Sequence, residues 1–134
     1  MKPARSHCPI SFSLDVVGDK WTLLVLRDLI IVGKRHFREL VASPEGIASN
    51  VLSARLKLLE LHGLISRRPD PDNGRQKIYA PTAKGLDLLP VMVELIRWGA
   101  KHNAQTAAPA SFIRNLEADR QRAIAGIRAG HHAA

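Results

Sequence analysis

Only one cysteine, Cys8, stands in the 134 residues. That excludes an internal disulfide framework and suits a reducing compartment, so a cytoplasmic location is expected. Aromatic side chains are scarce as well: Phe12, Trp21, Phe37, Tyr79, Trp98 and Phe112 are scattered singly. Single-strand and RNA binders need base-stacking aromatics gathered on one surface, and this spread argues against both. No apolar run approaches the ~18–20 residues of a membrane span. The basic start Met1-Lys2-Pro3-Ala4-Arg5 leads into Ser6-His7-Cys8-Pro9 rather than an apolar stretch, which argues against a secretory signal. Acidic residues are the remaining deficit: twelve face twenty Lys and Arg, leaving a formal charge of +8. Such an excess points to a polyanionic partner, with duplex DNA ahead of an anionic membrane surface.

What is present is mostly helical patterning. A first helix is expected over Ile10–Val17, stopping at Gly18. Asp19 is placed to cap a second helix over Lys20–Ile31, whose Trp21, Leu24, Val25, Asp28 and Leu29 recur at helical steps. Gly33 closes it, and a short helix over Phe37–Ala42 follows. Ser43-Pro44-Glu45-Gly46 is a turn by composition. A longer helix over Ile47–His62 carries Leu52, Leu56 and Leu59 on one face and ends at Gly63. Ile65–Arg68 and Lys77–Ala80 read as strands around the turn-rich Pro69-Asp70-Pro71-Asp72-Asn73-Gly74, so they form a hairpin. Thr82 is placed to cap a long helix over Ala83–Asn103, kinked at Pro90. A linker over Gln105–Ala110 and a last helix over Ser111–Arg128 complete the chain, with a frayed Gly130-His131-His132 end.

A short helix, a tight turn and a longer helix make a helix-turn-helix, and the hairpin after it is a wing. The expected fold is therefore mainly α with a small β-hairpin, a winged helix-turn-helix. At ~100° per residue, the Ile47–His62 helix separates into two faces. Ala48, Leu52, Arg55, Leu56 and Leu59 fall on the core side. Asn50, Ser53, Ala54 and Lys57 fall opposite, with Ser49 and Glu60 at the edge. The outward set is small and polar, which lets backbone approach base edges in the major groove. Asn50 matches adenine bidentately, Ser49 and Ser53 suit bases or phosphate, and Lys57 suits phosphate. Arg55 lies nearer the core, where it either anchors a carboxylate such as Asp28 or Glu39 or reaches a phosphate. On the wing, Arg67, Arg68, Arg75 and Lys77 suit phosphate clamping or minor-groove insertion, although Asp70 and Asp72 weaken their field.

These stretches together resemble the HxlR-type winged helix regulators. The resemblance rests on Cys8-Pro9-Ile10, Leu14 through Leu29, Arg35-His36-Phe37-Arg38-Glu39-Leu40, Gly46-Ile47 and Val51 through Leu56. It continues through Leu59-Glu60, Gly63-Leu64-Ile65, Tyr79, Thr82-Ala83-Lys84-Gly85 and Trp98-Gly99. It spans about Cys8 to Gly99, and divides the chain into a winged-helix DNA-binding domain over 1–104 and a linker with a C-terminal helical extension over 105–134. It implies a homodimeric repressor or activator on a DNA operator, with the first helix and the C-terminal helices as dimerisation elements. Ala48 departs from the pattern, standing where a serine is usual and removing a cap or phosphate contact. The wing run Asp70 through Lys77 also differs from the commoner proline-valine type. Some proteins of this kind sense oxidants or electrophiles through an N-terminal cysteine, a place Cys8 occupies. Lys2, Arg5 and His7 are the neighbours that favour its thiolate; the plain alternative is a small apolar residue at a dimer interface.

No cofactor is expected. His7, His36, His62, His102, His131 and His132 show no metal-ligand spacing. No glycine-rich phosphate cradle, nucleophile elbow or paired carboxylates support catalysis. Two alternatives stay open beside the regulator: a winged-helix protein-interaction module without DNA binding, and a nonspecific basic DNA-coating protein. Only sequence selectivity separates the last from a regulator. Operator and small-molecule effector are not legible.

Overall fold

The computed structural model of the chain describes residues 5–106 and 108–132. They fall into two compact units, within Met1–Thr82 and within Ala83–Ala134. The first unit opens with α1, Pro9–Val17, which has proline in its first turn, where a missing N–H goes unnoticed. No residue of α1 is buried. Asp19 then does what its position suggests: Oδ2 accepts the N–H groups of Trp21 and Thr22, both at 3.0 Å, and Oδ1 takes the Thr22 hydroxyl at 2.5 Å.

The second helix is shorter than its periodicity predicts. α2 spans Thr22–Arg27, and the chain continues as a π-helical turn, Asp28–Val32. The carbonyl of Asp28 receives both the Gly33 and the Lys34 N–H, widening the last turn. Gly33 ends it at φ 85°, a left-handed conformation that side chains disfavour. Val25, Leu26, Leu29 and Ile30 are buried, as are Leu40, Ile47, Leu52, Leu56, Leu59, Leu64, Ile65 and Ile78. At about 1.5–3 kcal/mol for each large apolar side chain removed from water, these residues hold the unit together.

α3, Phe37–Val41, is followed by the turn and by α4, Ser49–Leu61. β1, Ile65–Pro69, pairs antiparallel with β2, Lys77–Pro81, placing Arg67 opposite Tyr79 and Arg68 opposite Ile78. The Thr82 N–H donates to the Leu64 carbonyl at 3.0 Å and its hydroxyl to Gly63 O at 2.6 Å, tying the end of the wing to its beginning. This is a winged helix-turn-helix, mainly α with one two-stranded hairpin.

The second unit contains α5, Ala83–Leu86, α6, Leu89–His102, α7, Ala110–Ala118, and α8, Arg120–His132. The single kinked helix expected over 83–103 is instead two helices. In a continuous helix the Pro90 ring would clash with the carbonyl four residues back, that of Leu86; α5 stops there, and Pro90 sits in the first turn of α6. The last helix is likewise divided, at Asp119. Its backbone is extended, and its Oδ1 accepts the Arg122 N–H at 3.1 Å, capping α8. α8 continues to His132, past the end expected at Arg128. Arg97 joins Glu94 on its own helix to Glu117 on α7, at 2.8 and 2.6 Å. Among the described residues no helix is long and apolar enough to cross a membrane.

Candidate nucleic-acid interface

The second helix of the helix-turn-helix, α4, is held from behind at three levels. Leu52, Leu56 and Leu59 are buried, as their three- and four-residue spacing predicts. Its C-terminus is sealed by a pair of backbone bonds, Leu64 N–H to Leu59 O at 2.9 Å and Gly63 N–H to Glu60 O at 3.0 Å. That closure needs φ +73° at residue 63, which glycine supplies without strain. Arg55 provides the third tie. It reaches Asp19 Oδ2 at 3.5 Å, so it anchors a carboxylate, but neither Asp28 nor Glu39. Burial pushes the Asp19 carboxyl up. The Thr22 hydroxyl, the two N–H groups and the Arg55 charge together more than offset this, and Asp19 lies below its ordinary value. The same acid therefore caps α2 and steadies α4.

Asp28 is taken by a different cluster. It is buried, and its Oδ1 accepts two bonds from Arg27, at 3.0 and 2.9 Å. The Ser43 hydroxyl donates to its Oδ2, and Lys34 Nζ lies 3.6 Å from that oxygen and 2.8 Å from Ser43 Oγ. Arg27 also makes a two-pronged pair with Glu45, at 2.7 and 2.9 Å, whose hydrogen bonds hold the Glu45 carboxyl down at about 2. Ser43 and Glu45 belong to the turn of the helix-turn-helix. Gly46 completes that turn at φ +73°, its N–H on Ser43 O at 3.0 Å. The spacing between α3 and α4 is thus fixed by ion pairs reaching back to α2.

With that side occupied, the other side of α4 is free. Ser49, Asn50, Ala54 and Lys57 are exposed and Ser53 is half-buried. Ala48 is not on the core side as expected; it is exposed, extended at φ −68° and ψ 144°, and serves as the N-cap residue without a side-chain cap. A residue one step before the first helical turn no longer follows the helical angle. Arg67, Arg68, Arg75 and Lys77 are all exposed on the wing. Arg67 leans back to Glu60 of α4 at 3.7 Å. Among the described residues no carboxylate pairs with Lys57, Arg68, Arg75 or Lys77.

The wing acids do not oppose these cations equally. Asp70 turns inward: its Oδ2 is 2.9 Å from His36 Nε2, and its Oδ1 accepts the Asp72 N–H at 2.9 Å. Asp72 remains exposed. The hairpin is also tied to the segment before α3 by the Tyr79 N–H, which donates to Arg35 O at 2.8 Å. Cys8 is exposed and precedes α1 as its N-cap residue, with its N–H on Ser6 Oγ at 3.2 Å. Arg5, expected beside the thiol, pairs with Asp15 at 2.9 Å; Lys2 lies outside the described residues.

A braced helix with a small polar outer face, a preceding turn and a cationic wing define a winged helix-turn-helix of the DNA-binding class. The HxlR-like helix-turn-helix family model matches residues 16–107, and the chain belongs to that family. It is 32% identical over 106 residues to an uncharacterised HTH-type transcriptional regulator of Synechocystis, covering 79% of this chain and 78% of that protein. Among solved structures, PA1607, described as a candidate transcription factor, is 36% identical with a TM-score of 0.67, over 79% of this chain and 70% of that one. The redox regulator HypR in its oxidised form is 31% identical with a TM-score of 0.60, over 70% and 96%. The chain is a transcriptional regulator of the winged-helix type, and its family is not an enzyme family.

Proposed function

We propose that the protein acts as a homodimer that binds a double-stranded DNA operator sequence-specifically, with α4 in the major groove and the wing on the flanking backbone. The outward face of α4 carries this reading. Asn50 is exposed in the first turn of α4, where recognition helices meet base edges, and Ala54 leaves room for close approach. Ser49, Ser53 and Lys57 surround them, and Arg68, Arg75 and Lys77 add positive charge that no carboxylate of the described chain neutralises. Arg67, shared with Glu60, serves as a wing contact that must exchange partners on binding.

Dimerisation is supported by apolar side chains left in water. In the first unit Ile10 and Phe12 of α1 are 70% and 66% exposed, and in the second Trp98 of α6 is 67% exposed. Two copies related by a two-fold axis would present their α4 helices to successive major grooves, ~34 Å apart or a multiple of that. Oxidation at Cys8 is the proposed switch, supported by its exposure and by the likeness to the redox regulator HypR. Two Cys8 thiols would be oxidised to an intersubunit disulfide while an added oxidant such as diamide is reduced.

The test is selection of bound duplexes from a random pool, followed by titration of selected and shuffled duplexes at several salt concentrations, with molar mass measured by sedimentation. A recurrent inverted repeat, preferred over the shuffled control by a dimer, supports the proposal. Equal affinity for all duplexes would favour a nonspecific coating protein, a reading to which the +8 charge alone lends weight.

A further inference from the structure

His36 stands where the wing meets the helix-turn-helix, and both of its ring nitrogens face a carboxylate. Nδ1 lies 2.9 Å from Glu39 Oε1 on α3, and Nε2 lies 2.9 Å from Asp70 Oδ2 at the base of the wing. A carboxylate oxygen only accepts. A neutral imidazole carries one N–H, so it can donate to one of these acids and must turn a lone pair on the other. Both bonds therefore exist together only in the imidazolium form. Glu39 cannot turn away freely, since Oε1 also accepts the backbone N–H groups of His36 and Arg35, at 3.0 and 3.3 Å. Asp70 is likewise held, by the Asp72 N–H.

We infer that His36 is a positioning residue whose imidazolium latches the wing to the helix-turn-helix, so that loss of its proton frees the wing and weakens binding to duplex DNA. The inference rests on the DNA-binding reading above. Among the described residues one backbone bond runs parallel to the latch, Tyr79 N–H to Arg35 O. The charged groups around His36 divide clearly. Glu39 from α3 and Asp70 from the wing touch it, whereas Arg35, Arg38 and Lys77 flank it in sequence or on β2 opposite Pro69 and are exposed to screening solvent. Hydrogen bonding to Asp70 and then to Glu39 raises the imidazole above its ordinary 6.5, and both acids are lowered. The sign follows: the latch is complete below 6.5 and is lost as pH rises through the raised value. Deprotonation also leaves Asp70 and Glu39 unneutralised beside a surface meant for phosphates.

The full-length chain, labelled with nitrogen-15, tests this. Ring signals give the His36 titration from pH 5.5 to 9, and amide exchange, corrected for its intrinsic rate, gives the Tyr79 protection factor. Fluorescence anisotropy with a duplex selected by the protein gives affinity at constant ionic strength. Tyr79 protection and duplex affinity should both fall about three- to tenfold as His36 loses its proton, the loss of one charge-assisted bond discounted for partial exposure. His36→Gln should hold both at their high-pH level throughout, and His36→Arg, which donates to both acids at every pH, should hold both at their low-pH level. Any titration of other histidines stays in all three proteins and is subtracted. A wild-type pH profile in His36→Gln overturns the inference, as does an affinity that stays flat while Tyr79 protection follows His36. Absence of duplex binding at every pH in every protein instead overturns the DNA-binding reading beneath it.

Discussion

Arg27 grips two acids of contrasting burial, and replacing each by its amide separates what holds the helix-turn-helix from what decorates it. Asp28 side chain is 5% exposed and accepts two bonds from Arg27 and one from Ser43, with Lys34 close by. Asp28→Asn keeps the shape but turns an NH2 group toward donors. Breaking a buried charged network costs about 3–5 kcal/mol, and the one oxygen retained reduces this to about 2–4. Glu45, 35% exposed, holds Arg27 at a shorter 2.7 Å. Water screens that pair, so Glu45→Gln should cost about 1 kcal/mol despite its better distance. Urea unfolding at fixed protein concentration, followed by circular dichroism, measures both. With a slope of about 2 kcal/mol per molar urea, the midpoint should drop by about 1–2 M for Asp28→Asn and by about 0.5 M for Glu45→Gln. Equal midpoints for the two variants, or a larger loss at Glu45, would refute the claim that the buried acid fixes the turn before α4.

Asn50→Ala should reduce discrimination between selected and shuffled duplex by about 1–3 kcal/mol, read as the ratio of dissociation constants; an unchanged ratio excludes a bidentate base contact. Arg75→Ala should weaken every duplex alike and flatten the logarithmic salt dependence by about one unit, and an unaltered slope excludes a phosphate contact from the wing tip. Glu45 is lowered from 4.5 to about 2, so its contribution to stability is present above pH 4.5 and is lost as pH falls toward 2. Acid unfolding of wild type and Glu45→Gln should therefore converge in that window, and a constant gap contradicts it. Diamide should weaken operator binding by the native protein and leave Cys8→Ser unaffected; an equal response in both removes the thiol switch.

Much of the winged domain could be read from residues alone because its signals are local. The leucine spacing of α4, the cap at Asp19, the glycines at 33, 46 and 63 and the turn residues of the wing each act within a few positions. The ties that cross the fold carry no such signal. The sequence suggests Asp28 or Glu39 for Arg55, whereas its partner is Asp19, a choice that depends on how α2 and α4 meet, not on spacing. The links from Arg27 to Glu45 and from His36 to Asp70 span 18 and 34 residues of sequence, with no period to betray them. Pro90 illustrates a different gap. The residue predicts a kink, and the structure shows a break, because a proline in a helix interior either kinks or ends the helix and here a new first turn begins at it.

The most direct test is amide hydrogen exchange across the whole chain, with and without a saturating selected duplex. If α4 reads bases, slowed exchange should concentrate in residues 49–57 and in the wing at 67–77, and Asn50→Ala should diminish the former. Slowing confined to other segments, or none in 49–57 under saturating duplex, would contradict the account.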